Sequence, residues 1–300
     1  MRIFPVVALC LASLASVSSA QVAEVVIKPE TLAPGIAVLF GQGGNIGVSF
    51  GEDGTILIDD QFSPLTPKIE AAVKALGATP VKFLINTHWH GDHSGGNENF
   101  GKSGAIIMAQ DNVRARLAAG SSTPPRIVAP AAKTALPVIT WGEGLTIHLN
   151  GEDVRTLHLH NGHTDGDSII IWPKANVIHT GDLFFNKVTL PFIDLNSGGS
   201  ALGMLAAAEK MLSLTNAQTK IIPGHGPVAS QADLMAYRDM LKTVIGKVQA
   251  GINAKTPLAA IKAAKPAAAY EVKGGFISGD VFVETVYKSL TAPRPVDHKH

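Results

Sequence analysis

The stretch Thr87-His88-Trp89-His90-Gly91-Asp92-His93 sets three imidazoles and a carboxyl close together. These are the groups that hold zinc or iron, the imidazole through a ring nitrogen and the carboxyl through oxygen. In an extended segment alternate side chains share a face, so His88 and His90 are expected to reach one ion together. Gly91 is expected to let the chain turn, aiming Asp92 and His93 at a second position. A packed core would instead require every one of these polar groups to find its own partner, because unpaired buried polar groups are costly.

The elements that must position these groups are legible as strands. The apolar run Val81-Lys82-Phe83-Leu84-Ile85 reads as a buried strand feeding the cluster. Three further junctions have one form: an apolar strand, a flexible glycine, then one ligand-type side chain. They are Asn161-Gly162-His163-Thr164-Asp165-Gly166-Asp167, Thr180-Gly181-Asp182-Leu183 and Pro223-Gly224-His225-Gly226-Pro227. A fourth strand, Thr55 to Ile58, ends in Asp59-Asp60. One of these carboxyls, with Asp60 preferred, is expected to orient a ligand histidine through its second ring nitrogen. Thr164 and Thr180 are expected to hydrogen-bond within the site. Phe62, Trp89, Phe192 and His160 are candidate substrate-wall residues, with Phe184 and Phe185 nearby. His148, His158 and His179 sit in strand patterns and read as structural.

The set His88-Trp89-His90-Gly91-Asp92-His93, Gly162-His163-Thr164, Gly181-Asp182 and Gly224-His225-Gly226 resembles the metallo-β-lactamase superfamily, over about Ile36 to Pro227. The resemblance implies an α/β fold, an αββα four-layer sandwich, with a dinuclear zinc site between the sheets; iron or a mixed pair also suits the ligands. Carried over, His88, His90 and His163 would hold the first ion and Asp92, His93 and His225 the second, with Asp182 bridging. A hydroxide shared by two ions ~3.5–4 Å apart would attack a carbonyl carbon. Asp92 would hold its ion and relay a proton to the leaving group. Dedicated β-lactamases of the superfamily generally have cysteine or serine at the bridging position. Asp182 therefore resembles the glyoxalase II-like and lactonase members. The expected activity is hydrolysis of an ester, lactone, thioester or amide-type acyl substrate. β-Lactam hydrolysis is the alternative, and a non-catalytic metal-binding protein the rival of another class.

The rest of the chain frames this site. With 300 residues, 46% apolar and 16% charged, it is long enough for a substantial core. A net charge of +1 and the absence of a basic, aromatic-interleaved run give nothing to attract nucleic acid. Arg2, the apolar run Ile3 to Ala15, and the small residues Ser18 and Ala20 read as a signal peptide over 1–20, cut near Ala20. Residues 21–290 then form the hydrolase domain, periplasmic or secreted with no stable membrane anchor. The tail 291–300, with His298 and His300, is expected to be disordered. The single cysteine, Cys10, lies in the signal, so no thiolate serves the mature chain. Strands are expected at Glu24–Lys28, Ile36–Phe40 and Asn45–Phe50, the last closing a hairpin on Thr55–Ile58 through Gly51-Glu52-Asp53-Gly54. Ala105–Ala109 and six more strands in the second half, from Val138 to Ile222, complete the set. Helices are expected at Pro64–Leu76, Gln110–Ala118, Ala201–Leu214, Gln231–Val248, Ala259–Ala264 and Asp280–Leu290, with a long loop at 120–137.

Overall fold

The structure, a computed structural model, describes residues 24–123 and 127–292. The segment read as a signal peptide and nearly all of the tail lie outside the described residues. The first sheet has seven strands in sequential order. These are β1 (Lys28–Ala33), β2 (Ile36–Phe40), β3 (Ile46–Gly51), β4 (Gly54–Ile58), β5 (Val81–Asn86), β6 (Ile106–Gln110) and β7 (Ile139–Trp141). It is antiparallel from β1 to β4 and parallel from β4 to β7. The second sheet holds β8 (Gly144–Leu149), β9 (Glu152–His158), β10 (Ser168–Trp172), β11 (Val177–His179) and β12 (Lys220–Ile222). It runs in the order β12-β11-β10-β9-β8, with only β11 and β12 parallel.

Strand alternation divides the core into layers, because successive side chains point to opposite faces. Ile56 and Ile58 of β4 join Ile170 of β10 and Ile222 of β12 in a cluster between the sheets. Leu57 faces the other way, onto Leu65 and Ile69 of the first helical layer. Ile169 and Ile221 likewise turn outward, onto Met204, Leu241, Val244 and Phe282 of the second. Helices α1 (Thr66–Ala75), α2 (Gly91–Ser94), α3 (Asn97–Lys102) and α4 (Asp111–Ala119) accompany the first sheet. Helices α5 (Ala201–Ser213), α6 (Gln231–Asn253), α7 (Leu258–Ala263) and α8 (Gly279–Thr291) accompany the second. The result is the expected helix–sheet–sheet–helix sandwich. The helix ends follow their chemistry: Ser230 and Asp233 form a reciprocal capping box on α6, and Gly77 at φ +79° ends the turn after α1. No helix among the described residues is long and apolar enough to cross a membrane.

Several expectations are corrected. The first strand begins at Lys28 rather than spanning Glu24–Lys28, and its bulge lies between Thr31 and Ala33. Gln110 caps α4 instead of opening it, its side chain accepting from Asn112 N–H. Gly91 opens α2 with space around it, so the turn there does not depend on glycine. Strand β9 stops at His158, which leaves His160 beyond the sheet.

Candidate metal centre

Each ligand-type residue lies on the segment that follows a strand, Asp92 and His93 on the short helix α2 and Asp182 on a 3-10 turn. There the ladder stops and backbone freedom begins. Two groups form: His88, His90, His163 and Asp182, all buried, and Asp92, His93 and His225. In the first group each histidine spends one ring nitrogen on a fixed partner. His163 Nδ1 donates to the Phe192 carbonyl at 2.7 Å, and His90 Nε2 donates to Asp194 Oδ2 at 2.9 Å. Those partners only accept, so with both rings neutral His163 Nε2 and His90 Nδ1 carry lone pairs, and these face each other at 2.9 Å. His88 Nε2 is buried beside them with no hydrogen-bond partner. Lone pairs converging in a dry pocket repel unless a cation lies between them, so these residues fit a metal ion. Burial pushes the His88 imidazole well below its ordinary value and His163 down to about 3, which keeps both as neutral ligands.

One carboxyl organises both groups from behind. Asp59 Oδ1 accepts the Thr87 N–H at 2.7 Å, and its Oδ2 accepts from Thr87 Oγ1 at 2.8 Å and from His93 Nδ1 at 2.7 Å. With its hydroxyl proton given to Asp59, Thr87 Oγ1 accepts from His88 Nδ1 at 3.0 Å. His93 Nε2 is thereby turned toward Asp182 Oδ1 at 3.0 Å, His225 Nε2 at 3.3 Å and Asp92 Oδ2 at 3.6 Å. Asp182 spans the groups: Oδ1 faces His93 and His225, while Oδ2 lies 3.5 Å from His163 Nε2 and 3.9 Å from His88 Nε2. The second group is the wetter one, with the Asp92 side chain 30% and that of His225 20% exposed. Burial opposes charge on His225, but Asp182 and Asp92 outweigh it and raise the imidazole to about 9. Burial would raise Asp92; the facing His93 and His225 outweigh it and hold the carboxyl well below its usual range.

The seven residues read from the strand junctions are thus brought together, and the supporting residues are largely different from those expected. Asp60 does not orient a histidine. Its Oδ1 accepts the Gly96 N–H at 2.9 Å, and burial pushes its carboxyl well above the ordinary range. Alternation from Ile58 favours Asp60, but Asp59 adopts φ +63° and breaks the alternation, which gives Asp59 the histidine. Thr164 touches no ligand nitrogen; its N–H and hydroxyl both bind Asp167, a buried carboxyl pushed up to about 8 by desolvation. Thr180 donates to the carbonyls of Gly181 and Ile222. His160 is exposed and paired with Glu143 at 3.2 Å, away from the site. Trp89 is core, packed with Ala109, Val113 and Leu117 and donating to Ser197 Oγ. Phe62 packs on the Leu65 and Ile69 cluster.

Of the wall candidates, Phe192 stays at the site, its ring 5.9 Å from that of His90 and 5.4 Å from that of His163. Phe185 lies flat on His225 at 5.6 Å. Phe276 joins them unforeseen, 63% exposed, with its ring 6.4 Å from His225 and 6.2 Å from Phe185. Asp194, the partner of His90, was also missed. Its local signal, an Asp accepting from Asn196 and Ser197 N–H, marks only a turn. The glycine-rich run Gly41-Gln42-Gly43-Gly44-Asn45 was a clearer missed signal. A Cβ on Gly44 would run into the His93 ring, so the loop must pass with bare backbone.

A buried His/Asp cleft at the strand ends of two facing sheets is the architecture of metal-dependent hydrolases. Residues 40–225 match the model of the metallo-beta-lactamase superfamily, and the chain belongs to that family. A curated relative, the beta-lactamase-like protein 2 homolog of Caenorhabditis elegans, is 25% identical over 177 residues, 58% of this chain and 52% of its own. The chain thus spans about half the length of that relative. Among solved structures, a metallo-beta-lactamase from Pontibacter korlensis aligns with TM-score 0.59 at 17% identity, covering 72% of this chain and 99% of its own. The inverting sec-alkylsulfatase Pisa1 from a Pseudomonas species aligns with TM-score 0.64 at 15% identity, covering 87% and 50%. At these identities the likeness is one of fold.

Proposed function

We propose that the chain uses two divalent metal ions, zinc foremost, to hydrolyse an ester, lactone, thioester or amide-type bond in a small acyl substrate. The observation that carries this reading is the inward convergence of ligand atoms from seven residues, with four of the histidines anchored through their other ring nitrogen. Ions bound there would supply a Lewis acid for the carbonyl oxygen and an activated water at neutral pH. His88, His90 and His163 would hold the inner ion and Asp92, His93 and His225 the outer one, with Asp182 serving both. Asp92, the most exposed of the seven, moves a proton between the departing group and the carboxyl oxygen not turned to His93 and His225. Phe185, Phe192 and Phe276 shield the apolar part of the substrate from water. The N-terminal stretch supports action in the periplasm or outside the cell.

Hydrolysis of β-lactams is the second reading, favoured by the same N-terminal stretch; the carboxyl of Asp182 at the shared position favours the first. Metal analysis of the mature protein, joined to a panel of aryl esters, lactones, thioesters and nitrocefin, tests both. Two bound ions and turnover of an ester, lactone or thioester are expected. A nitrocefin rate above all others would move the assignment to the second reading. A doubly loaded protein inert on the whole panel, or His88→Ala as active as wild type, would sink both.

A further inference from the structure

The outer ligand His225 stands on the loop after β12, between Gly224 and Gly226. On its own side Gly224 N–H donates to the Gly181 and Phe184 carbonyls and the His225 carbonyl accepts from Asn186 N–H, which leaves the Pro223, Gly224 and Gly226 carbonyls to be held from the opposite sheet. Asn45, immediately before β3, is buried. Its Nδ2 donates to the Pro223 carbonyl at 2.9 Å and to the Gly226 carbonyl at 2.8 Å, one on each side of His225. Its backbone N–H donates to the Gly224 carbonyl at 2.7 Å, and its own carbonyl accepts from His179 Nε2 at 3.0 Å. Both amide protons and both backbone groups are therefore used, and three of the four bonds end on the His225 loop. The residue before it completes the bracket. Gly44 N–H donates to the Asp92 carbonyl at 3.0 Å, and its own carbonyl accepts from Gln61 Nε2 at 2.7 Å. The inner ligands His88, His90 and His163 are oriented by the hydrogen bonds they donate to Thr87, Asp194 and Phe192, none of which belongs to this loop.

We propose that Asn45 is a positioning residue that builds the outer ion site by clamping the His225 loop across the two sheets, so that the outer ion alone depends on it. The inference rests on the two-ion reading, and it is confined to binding so that a failure of the proposed hydrolysis leaves it intact. Without the Nδ2 donors the Pro223 and Gly226 carbonyls lose their shared anchor, and His225 samples positions in which Nε2 no longer faces Asp92 and Asp182. A residue that fixes a ligand from behind is worth about 10–100-fold in metal affinity.

The test is stepwise zinc or cobalt(II) titration of metal-free wild type, Asn45→Ala, Asn45→Ser and His225→Ala, read by stoichiometry and by competition with a chelator. Asn45→Ala is expected to keep the first equivalent and weaken the second about 10–100-fold, following the pattern of His225→Ala. Asn45→Ser, which restores one donor, is expected to recover part of the loss, and it serves as the deciding variant if Asn45→Ala does not fold. Parallel weakening of both equivalents, or unchanged affinity for the second, would overturn the proposal. If wild type itself bound one equivalent only, the two-ion reading would fail first, and the clamp with it.

Discussion

The two groups of ligands share a bridging carboxyl and a supporting Asp59, yet they are built differently. The inner group is closed off: His88, His90 and His163 are buried, and desolvation keeps His88 and His163 neutral. Its orienting partners lie on segments that pack into the core, among them the Phe192 carbonyl and Asp194. The outer group opens toward solvent, and charge dominates it: in the metal-free protein Asp92 and Asp182 draw a proton onto His225. It hangs between sheets, held by Asn45 and Gly44 from one and by the β12 loop from the other. A dry site of imidazoles around one buried carboxylate binds an ion without first having to lose a proton from His88 or His163. A wet charged site must give up a proton first, so its affinity rises with pH. The difference predicts that the inner ion is the resident one and the outer ion the exchangeable one.

The sharpest way to break this contrast is to remove one ligand from each side. His90→Ala is expected to abolish tight binding of the inner ion and to lower kcat/KM by roughly 10³-fold or more, a loss of about 4 kcal/mol. His225→Ala is expected to retain one tightly bound equivalent. Metal content after dialysis against a weak chelator would decide, and the opposite pattern would reverse the assignment. Next in size is Asp59→Asn, which replaces an acceptor oxygen with an amide donor beside Thr87 and His93. Because Asp59 serves both groups, about 10–100-fold losses are expected for both equivalents, a result that distinguishes it from Asn45.

The metal-free protein offers a pH test of the same asymmetry. His163 stands at about 3 in the fold against an ordinary 6.5, so the unfolded chain takes up its proton first. Its contribution to stability therefore falls as pH drops from 6.5 toward 3. His225, raised to about 9, contributes stability that is fully present below 6.5 and lost as pH rises through 9. Urea midpoints in chelator for wild type and His225→Gln are expected to differ at pH 6 and to converge near pH 10. A gap independent of pH would mean that the Asp92 and Asp182 charges do not reach this imidazole. The smallest effect belongs to Phe276→Ala. Loss of this partly exposed ring is expected to lower kcat/KM about fivefold on substrates with aryl or long acyl groups and hardly at all on acetyl esters.

Much of the site was written in the chain because metal chemistry restricts residue types and strand ends restrict places. His88, His90, His163, Asp92, His93, Asp182 and His225 each follow a strand signal, and the strand alternation that layers Ile56, Leu57 and Ile58 is a local pattern with period two. Those features marked the candidate ligands and the two runs of strands, and the family resemblance they carry implied the sandwich and the division of ligands between two ions. What only the tertiary structure decided is how the ligands are held. Asp194 reaches His90 across 104 positions, and Asn45 reaches Pro223 and Gly226 across 178 and 181. Nothing near Asp194 or Asn45 in sequence records those partners. Asp59 takes precedence over Asp60 through a left-handed backbone angle that alternation does not foresee. Phe276 arrives from a loop far beyond the last ligand. Ligand identity is a matter of chemistry and is carried by single residues. Ligand orientation is a matter of long-range hydrogen bonds, and it exists only once the two sheets have closed on each other.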